Sequence, residues 1–180
     1  AVLGPHKSGN QLTIRLFHPF AESATVAFKR GEPQEMLKID PAGLFELTKR
    51  STAKSLPAYT FSLTDHKGVT WLAEDVYRFD SPILQNGVIG RWYDVNGARM
   101  MQVNGVDGTQ FVVWAPNAER VSLIGDFNNW DGRINVMRKH ADHGLWELFV
   151  PGVGQGTLYK FEIKTRYNGY MVTKTDPVGF

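Results

Sequence analysis

The residues with the clearest chemical potential lie in one turn, at 127–132, with the sequence FNNWDG. It places the indole of Trp130 directly after the side-chain amides of Asn128 and Asn129. Asn, Asp and Gly favour turn geometry, and an amide both donates and accepts hydrogen bonds. An aromatic face beside amides suits a sugar, which has an apolar C–H face and a hydroxyl rim. The alternative is that Trp130 only caps the core of a β-sandwich.

Two side chains further along the chain extend the sugar hypothesis. Lys160 occupies an outward position of an alternating strand, and Tyr170 follows the turn Asn168-Gly169, which is typical of a two-residue β-hairpin loop. Two aromatic rings beside an ammonium donor would form a ledge for a sugar chain, unless all three are ordinary surface residues. The predicted carbohydrate-binding set is Trp130, Lys160, Tyr170, Asn128 and Asn129.

Other chemistries find less support in the sequence. His140 and His143 have a spacing compatible with two metal ligands, but Asp142 and Gly144 mark a turn and no third ligand is near, so we expect a solvated loop. Glycoside chemistry requires two convergent carboxylates. The acidic residues of the second half are expected on outer strand faces or in turns, without a convergent pair: Asp126, Asp131, Glu147 and Glu162. We therefore predict no catalytic residue, metal or cofactor here.

Composition narrows the class of protein. The 180 residues are 42% hydrophobic and 12% aromatic, with 18 Gly and 9 Pro between short apolar runs, which favours an all-β fold. The net charge of +2 is too small to indicate a nucleic acid or an anionic membrane as partner. No cysteine is present for a disulfide or a thiolate site, and no apolar run approaches the ~18 residues of a membrane span.

A weak internal repeat with a period close to 100 residues determines the predicted architecture. Residues 43–47 (GLFEL) parallel residues 144–148 (GLWEL), so Phe45 and Trp146 should occupy equivalent core positions. Residues 59–61 parallel 159–161, and residues 75–79 parallel 176–180. Each copy contains strands with an apolar residue at every second position, which predicts antiparallel sheets with one buried face.

The sequence thus predicts two tandem immunoglobulin-like antiparallel β-sandwiches. The expected organisation is a first module at 1–80, a connector at 81–106 and a second module at 107–180. The connector is too apolar for a free linker, so it should pack along one or both modules. Its glycines, proline and apolar residues are Pro82, Gly87, Gly90, Gly97, Gly105, Ile83, Leu84, Val88, Ile89, Trp92 and Tyr93.

Longer motifs resemble a known family. The series FVVWAPNAERVSLIGDFNNWDGR, GLWELFVPG, LYKFEI, NGY and TDPVGF is similar to a family 48 carbohydrate-binding module of a glycogen (1,4-α-glucan) branching enzyme. The opening LGPHKSGNQLTIRLFHPFAESATVAF, with GLFEL, YTFSL and EDVYRF, resembles the extra N-terminal module of many bacterial branching enzymes. WAPNA alone is shared with isoamylases and trehalose-forming glycosidases.

The resemblance implies a cytoplasmic transferase that cuts an α-1,4-glucan and rejoins the piece through an α-1,6 bond. Its carboxylates belong to a (β/α)8 barrel that follows a motif like residues 175–180, so this chain is expected to be a fragment that ends before that barrel. In related modules a Trp matching Trp130 and a Lys matching Lys160 grip the glucan, while Tyr170 stands in for a second Trp. Weak α-glucan binding is therefore expected in the second module.

The first module departs further from the family pattern and is expected to be structural. Residues 29–32 (KRGE) stand where FNNW would be, Thr60 replaces the lysine, and Trp71 is kept. Two rival interpretations stay open: modules that only brace the barrel, and the same modules from an isoamylase-type debranching or trehalose-forming parent. Exposure of Trp130 and Tyr170 on a common face would favour sugar binding over bracing.

Overall fold

The computed structural model describes residues 2–53, 55–81, 83 and 95–179. The regular secondary structure of the described chain consists almost entirely of strands, which form four antiparallel sheets. It divides into two compact units, Ala1–Arg78 and Phe79–Phe180, and each unit contains two of the sheets. The predicted all-β class with two β-sandwiches is confirmed.

The described residues of the first unit form eight strands and a closing 3-10 turn. Their bounds are β1 (Gly4–Ser8), β2 (Gln11–Phe17), β3 (Ser23–Phe28), β4 (Gln34–Glu35), β5 (Leu37–Asp40), β6 (Leu44–Arg50), β7 (Tyr59–Thr64), β8 (Thr70–Ala73) and the turn Val76–Arg78. One sheet has the order β1-β2-β6-β5 and the other has the order β4-β3-β7-β8.

Outside residues 82, 84–94 and 180, the second unit forms seven strands and one 3-10 turn. Their bounds are β9 (Gly97–Val103), β10 (Val106–Trp114), β11 (Ala118–Gly125), the turn Asp126–Asn128, β12 (Arg138–His140), β13 (Leu145–Pro151), β14 (Tyr159–Thr165) and β15 (Met171–Lys174). The sheets have the orders β12-β13-β10-β9 and β11-β14-β15. Strand β9 falls inside the interval assigned to the connector, yet it pairs along β10 and so belongs to this unit's sheet.

The sequence repeat extends to the topology. In one sheet of each unit, β1, β2, β6 and β5 correspond to β9, β10, β13 and β12, in the same order. In the other sheet, β3, β7 and β8 correspond to β11, β14 and β15. The short strand β4 has only a single bridge, Ser122 to Val136, as its counterpart. The two units are therefore two versions of one strand plan.

The inner faces carry the predicted apolar residues. Leu12 and Ile14 on β2 are 1% and 0% exposed. Phe45 and Trp146 occupy equivalent buried positions, paired across the sheet with Lys38 and Lys139 respectively. The two ammonium groups lie 5.6 Å and 5.3 Å from the ring centroids, so each core aromatic is covered by a lysine of the adjacent strand.

A second repeated feature is a hydrogen bond between a tyrosine of one strand and an aspartate that follows it, here called the Tyr–Asp lock. The phenol of Tyr59 donates to Asp75 Oδ2 at 2.5 Å, and the phenol of Tyr159 donates to Asp176 Oδ2 at 2.5 Å. The other oxygen of each Asp accepts the backbone N–H two residues further on, at 2.8 and 2.9 Å. Burial, reinforced by the neighbouring carboxylate, raises the pKa of both phenols.

Glu147 departs from the alternation pattern. It was predicted on an outer strand face, but the structure buries it to 1% exposure. Every residue of β13 before Pro151 is buried, because Phe79, Ser81 and Ile83 cover the strand's outer face. A strand buried on both faces cannot be identified by period-2 alternation, and this prediction was wrong for that reason.

The connector packs against the second unit where the structure describes it. Ile83 and Val95 join Val112 and Leu145 in one apolar cluster, as the sequence predicted for an apolar connector. The remaining connector residues named above, apart from Gly97 and Gly105, lie outside the described residues. Within the described chain, no helix has the length and apolar character needed to cross a membrane.

Candidate functional site

The loop that follows β11 has an unusual backbone. After the 3-10 turn Asp126–Asn128, both Asn129 and Trp130 adopt the left-handed conformation, with φ of 53° and 59°. This region is uncommon for a bulky side chain. The Trp130 N–H donates to Gly125 O at 3.0 Å and the Asp131 N–H donates to Asn128 O at 3.1 Å, so the chain reverses tightly here.

Asn128 holds this loop from inside. The residue is 5% exposed, and its Oδ1 accepts the Gly125 N–H at 3.0 Å. Its Nδ2 donates to Leu123 O at 2.8 Å and to Asn135 Oδ1 at 2.7 Å. Both amide protons are therefore used within the protein. Asn128 was predicted as a sugar contact, and the structure corrects this: the amide supports the loop, because a buried amide must satisfy its hydrogen bonds internally.

Trp130 projects from the loop to the surface. It is 40% exposed, so it does not serve only as a core cap. Its indole Nε1–H donates to Asp126 Oδ1 at 3.0 Å. The polar edge of the ring is thus occupied within the loop. What the side chain offers to a partner is the face of the ring, which attracts apolar C–H groups.

The ring borders a shallow surface depression of about 570 Å³, here called the Trp130 hollow. Its lining residues are Arg120, Asn129, Trp130, Asp131, Gly132, Arg133, Glu162 and Met171. The sequence analysis identified only Trp130 and Asn129 among them as contacts. Arg120 and Glu162 occupy strands β11 and β14, and the loop is folded over them. A hydrogen of Gly132 faces Glu162, where a β-carbon would lie 2.2 Å from the carboxylate oxygen Oε1.

The charged side chains of the hollow form two ion pairs and balance in charge. Arg120 Nη2 lies 2.7 Å from Glu162 Oε1, and Arg133 Nη2 lies 2.6 Å from Asp131 Oδ2. Two cations and two anions give the lining no formal net charge, which favours an uncharged ligand over a charged one. Guanidinium groups also donate and carboxylate groups accept several hydrogen bonds each, and the hydroxyl groups of a sugar can use both kinds of partner.

Lys160 and Tyr170 lie far apart, so the predicted ledge of three side chains is not formed. Lys160 is exposed near the start of β14. Tyr170 is 69% exposed, but its carbonyl accepts the Thr165 N–H at 2.9 Å at the far end of the strand. Five residues separate the two ends, a distance of about 16 Å in a strand. The register also places Tyr170 opposite Thr165, on the face that alternates with that of Lys160. Neither residue lines the hollow, so Trp130 and Tyr170 are both exposed but do not share the common face that would favour sugar binding over bracing.

The hairpin itself differs from the predicted two-residue loop. Asn168 and Gly169 have φ of 53° and 66°, as the Asn-Gly dipeptide predicts. Strand pairing ends before them, because the last contact joins Thr165 and Tyr170, so the connection has four residues. The sequence analysis also overlooked Tyr167 in this connection, which is 77% exposed.

A second polar cluster surrounds the buried Glu147. Its Oε1 accepts Gln110 Nε2 at 2.6 Å and the Ile83 N–H at 3.2 Å. Its Oε2 lies 2.8 Å from His140 Nε2 and accepts the Ser81 hydroxyl. His140 was expected in a solvated loop, whereas the structure places it on β12 with a side chain that is 8% exposed. The cluster joins the connector to the sheet, and its burial leaves no access for a ligand.

Comparison with known proteins identifies the relationship. Residues 1–77 match the family described as alpha-1,4-glucan branching enzyme GlgB, N-terminal domain, and residues 97–179 match carbohydrate-binding module 48 (isoamylase N-terminal domain). The 1,4-alpha-glucan branching enzyme GlgB of Methylobacillus flagellatus is 41% identical over 99% of this chain and 25% of its own length. The chain thus matches the N-terminal region of GlgB branching enzymes. The resemblance predicted from the motifs is confirmed.

Other relatives agree with that assignment. The GlgB of Paramagnetospirillum magneticum is also 41% identical, over 99% of this chain and 24% of the relative. The chain therefore spans about a quarter of the length of these GlgB relatives and corresponds to their N-terminal region. Among solved structures, ligand-free PulA from Klebsiella pneumoniae covers 99% of this chain and 20% of its own, with a TM-score of 0.40 and 12% identity. That likeness is too distant to support an argument about function.

Proposed function

We propose that this GlgB region binds α-glucan weakly through the second unit and supports the catalytic part of a branching enzyme. That enzyme would transfer an α-1,4-glucan segment to an α-1,6 position. The observation that carries the binding proposal is the presentation of Trp130. Its ring face is exposed beside a hollow whose charges balance, in a unit that matches a carbohydrate-binding family.

The chemistry of the hollow fits a neutral glucan chain. Trp130 would stack on the C–H face of a glucose unit, while Asn129, Arg120 and Glu162 would bind hydroxyl groups at its rim. A depression that is shallow and open can accept the middle of a chain, whereas a closed pocket would accept only an end. Lys160 is proposed as a peripheral hydroxyl donor, since it is exposed but does not line the hollow.

The expected affinity is low. One stacked ring and a few hydrogen bonds must offset the entropy of association, so we expect a dissociation constant on the order of 0.1–10 mM for a maltooligosaccharide. Because the hollow has no net charge, binding should depend only weakly on salt, unlike binding driven by counterion release.

The first unit is proposed to be structural. Its described residues include no counterpart of the loop at residues 126–132, here called the Trp130 loop. Its own Trp71 is half-buried against the core, with its ring 5.3 Å from that of His18. A glucan could reach only part of that ring. The connector cluster around Glu147 is consistent with an additional bracing role for the second unit.

Glycogen-affinity electrophoresis tests the binding proposal with matched variants. Trp130→Ala should abolish the retardation of the wild-type chain by glycogen. Trp114→Ala removes an indole that is 50% exposed in the same unit, and Trp71→Ala removes one from the first unit; both should leave the retardation in place. Identical mobility of wild type and Trp130→Ala, with and without glycogen, would contradict sugar binding and favour bracing alone.

A further inference from the structure

The backbone of the Trp130 loop is held in a conformation that its residues do not favour. Asn tolerates the left-handed region of φ, but a Trp in that region is uncommon. Here two such residues follow each other, Asn129 and Trp130. Conformations of this kind persist only where the surrounding contacts impose them, and they cluster at functional sites.

The surrounding contacts divide into two kinds. The bond from the Trp130 N–H to Gly125 O and the amide bonds of Asn128 hold the backbone of the loop. The bond from the indole Nε1–H to Asp126 Oδ1, 3.0 Å long, acts instead on the ring. It joins residues four apart across the 3-10 turn, and it restricts rotation of the side chain about its own torsions. Backbone and ring are thus restrained by separate groups.

We propose that Asp126 is a positioning residue for glucan: its carboxylate orients the Trp130 ring so that the ring face is already directed at the hollow before ligand arrives. This inference rests on the proposed function of the hollow. An exposed indole without such a partner would sample several rotamers, and binding would have to select one of them. A ring fixed in advance loses less side-chain entropy on binding.

The bond between the indole and Asp126 also determines which side chains of the hollow can bind the hydroxyl groups of a sugar. Because Nε1–H is directed at Asp126, Trp130 contributes stacking and no hydrogen bond to the sugar. The hydroxyl groups must find partners elsewhere in the hollow, on Asn129, Arg120 or Glu162. Trp130 and Asp126 therefore act together: the ring contacts the ligand, and the carboxylate affects affinity without contacting it.

Two substitutions separate positioning from direct contact. Asp126→Ala removes the acceptor and should weaken maltoheptaose binding by about three- to tenfold, the range expected for one lost hydrogen bond. Asp126→Asn keeps an oxygen at Oδ1 and should restore most of that affinity. Binding would be measured by NMR titration of the whole chain, with Trp130→Ala as the reference for loss of the platform.

The NMR signal of the Trp130 indole N–H provides a second readout. If Asp126 only stabilised the fold, changes in this signal would not accompany changes in glucan affinity. In Asp126→Ala this signal should shift and its hydrogen should exchange faster with water, while in Asp126→Asn it should stay close to wild type. Wild-type affinity in Asp126→Ala would overturn the inference, as would equal weakening in both variants, which would indicate direct contact with the charge. If Trp130→Ala binds like wild type, the proposed function itself fails.

Discussion

The two units share one strand plan, but the outer face of the equivalent strand is partly exposed in the first unit and buried in the second. Glu46 on β6 and Glu147 on β13 occupy equivalent places in GLFEL and GLWEL. The Glu46 side chain is 27% exposed and pairs with Arg15 at 2.7 Å. Glu147 is 1% exposed and is surrounded by Ser81, Ile83, Gln110 and His140. Equivalent residues thus acquire different roles, because the described residues Ser81 and Ile83 cover Glu147, whereas Glu46 stays partly exposed.

Comparison of the two units distinguishes residues that stabilise the shared β-sandwich from residues that are found in one unit. The lysine over the core aromatic and the Tyr–Asp lock occur in both units, so they hold the common fold. Among the described residues, the glutamate cluster and the Trp130 loop are found in the second unit and have no equivalent in the first. The features that distinguish the copies are therefore the ones to examine for function, and each can be tested against its counterpart.

The largest expected difference concerns the two glutamates. Glu147→Ala leaves buried donors without their acceptor and should lower the free energy of unfolding by about 3–5 kcal/mol. Glu46→Ala breaks a partly exposed ion pair and should cost about 0–1 kcal/mol. Urea unfolding followed by circular dichroism would measure both. Equal losses in the two variants would show that the Glu147 cluster does not hold the connector.

The two Tyr–Asp locks should differ by a smaller amount. Tyr59→Phe leaves Asp75, which is 3% exposed, without its phenol partner, and should cost about 1–3 kcal/mol. Tyr159→Phe affects a half-buried pair and should cost about 0.5–1.5 kcal/mol. Chemical unfolding at pH 7 provides the comparison, and a larger loss for Tyr159→Phe would contradict it.

The same locks predict a loss of stability in alkali. Both phenol pKa values are raised above 10.0, so the unfolded chain releases these protons before the folded chain does. Stability should therefore be retained below pH 10 and decline above it. The decline should be shallower in Tyr59→Phe than in wild type, and an identical pH profile in the two proteins would count against this lock.

Local sequence patterns predicted many of the buried strand faces and the equivalent positions of the two units. Alternation identified the buried faces of strands such as β2, and the repeat placed Phe45 and Trp146 at equivalent positions. Turn chemistry and aromatic character directed attention to Trp130. The inferences about buried faces and about the repeat succeeded because each depends on short motifs that are continuous in the sequence.

The features that were missed depend on distant parts of the chain. Glu147 is buried because a connector more than sixty residues earlier covers it, as its bonds to Ser81 and Ile83 show. The hollow exists because a loop folds over the outer face of β11 and β14, which brings Gly132 against Glu162. The separation of Lys160 and Tyr170 follows from strand register and from a four-residue connection, neither of which a short motif determines.

The most direct test of the account compares the tryptophan indole signals of the isotope-labelled chain during titration with maltoheptaose. The sequence contains five tryptophans, and Trp→Phe variants would assign their signals. The account predicts that the Trp130 signal shifts progressively with ligand, with saturation in the millimolar range, while those of Trp71, Trp114 and Trp146 stay in place. A shift of Trp71 without a shift of Trp130 would contradict it, because the glucan would then contact the first unit.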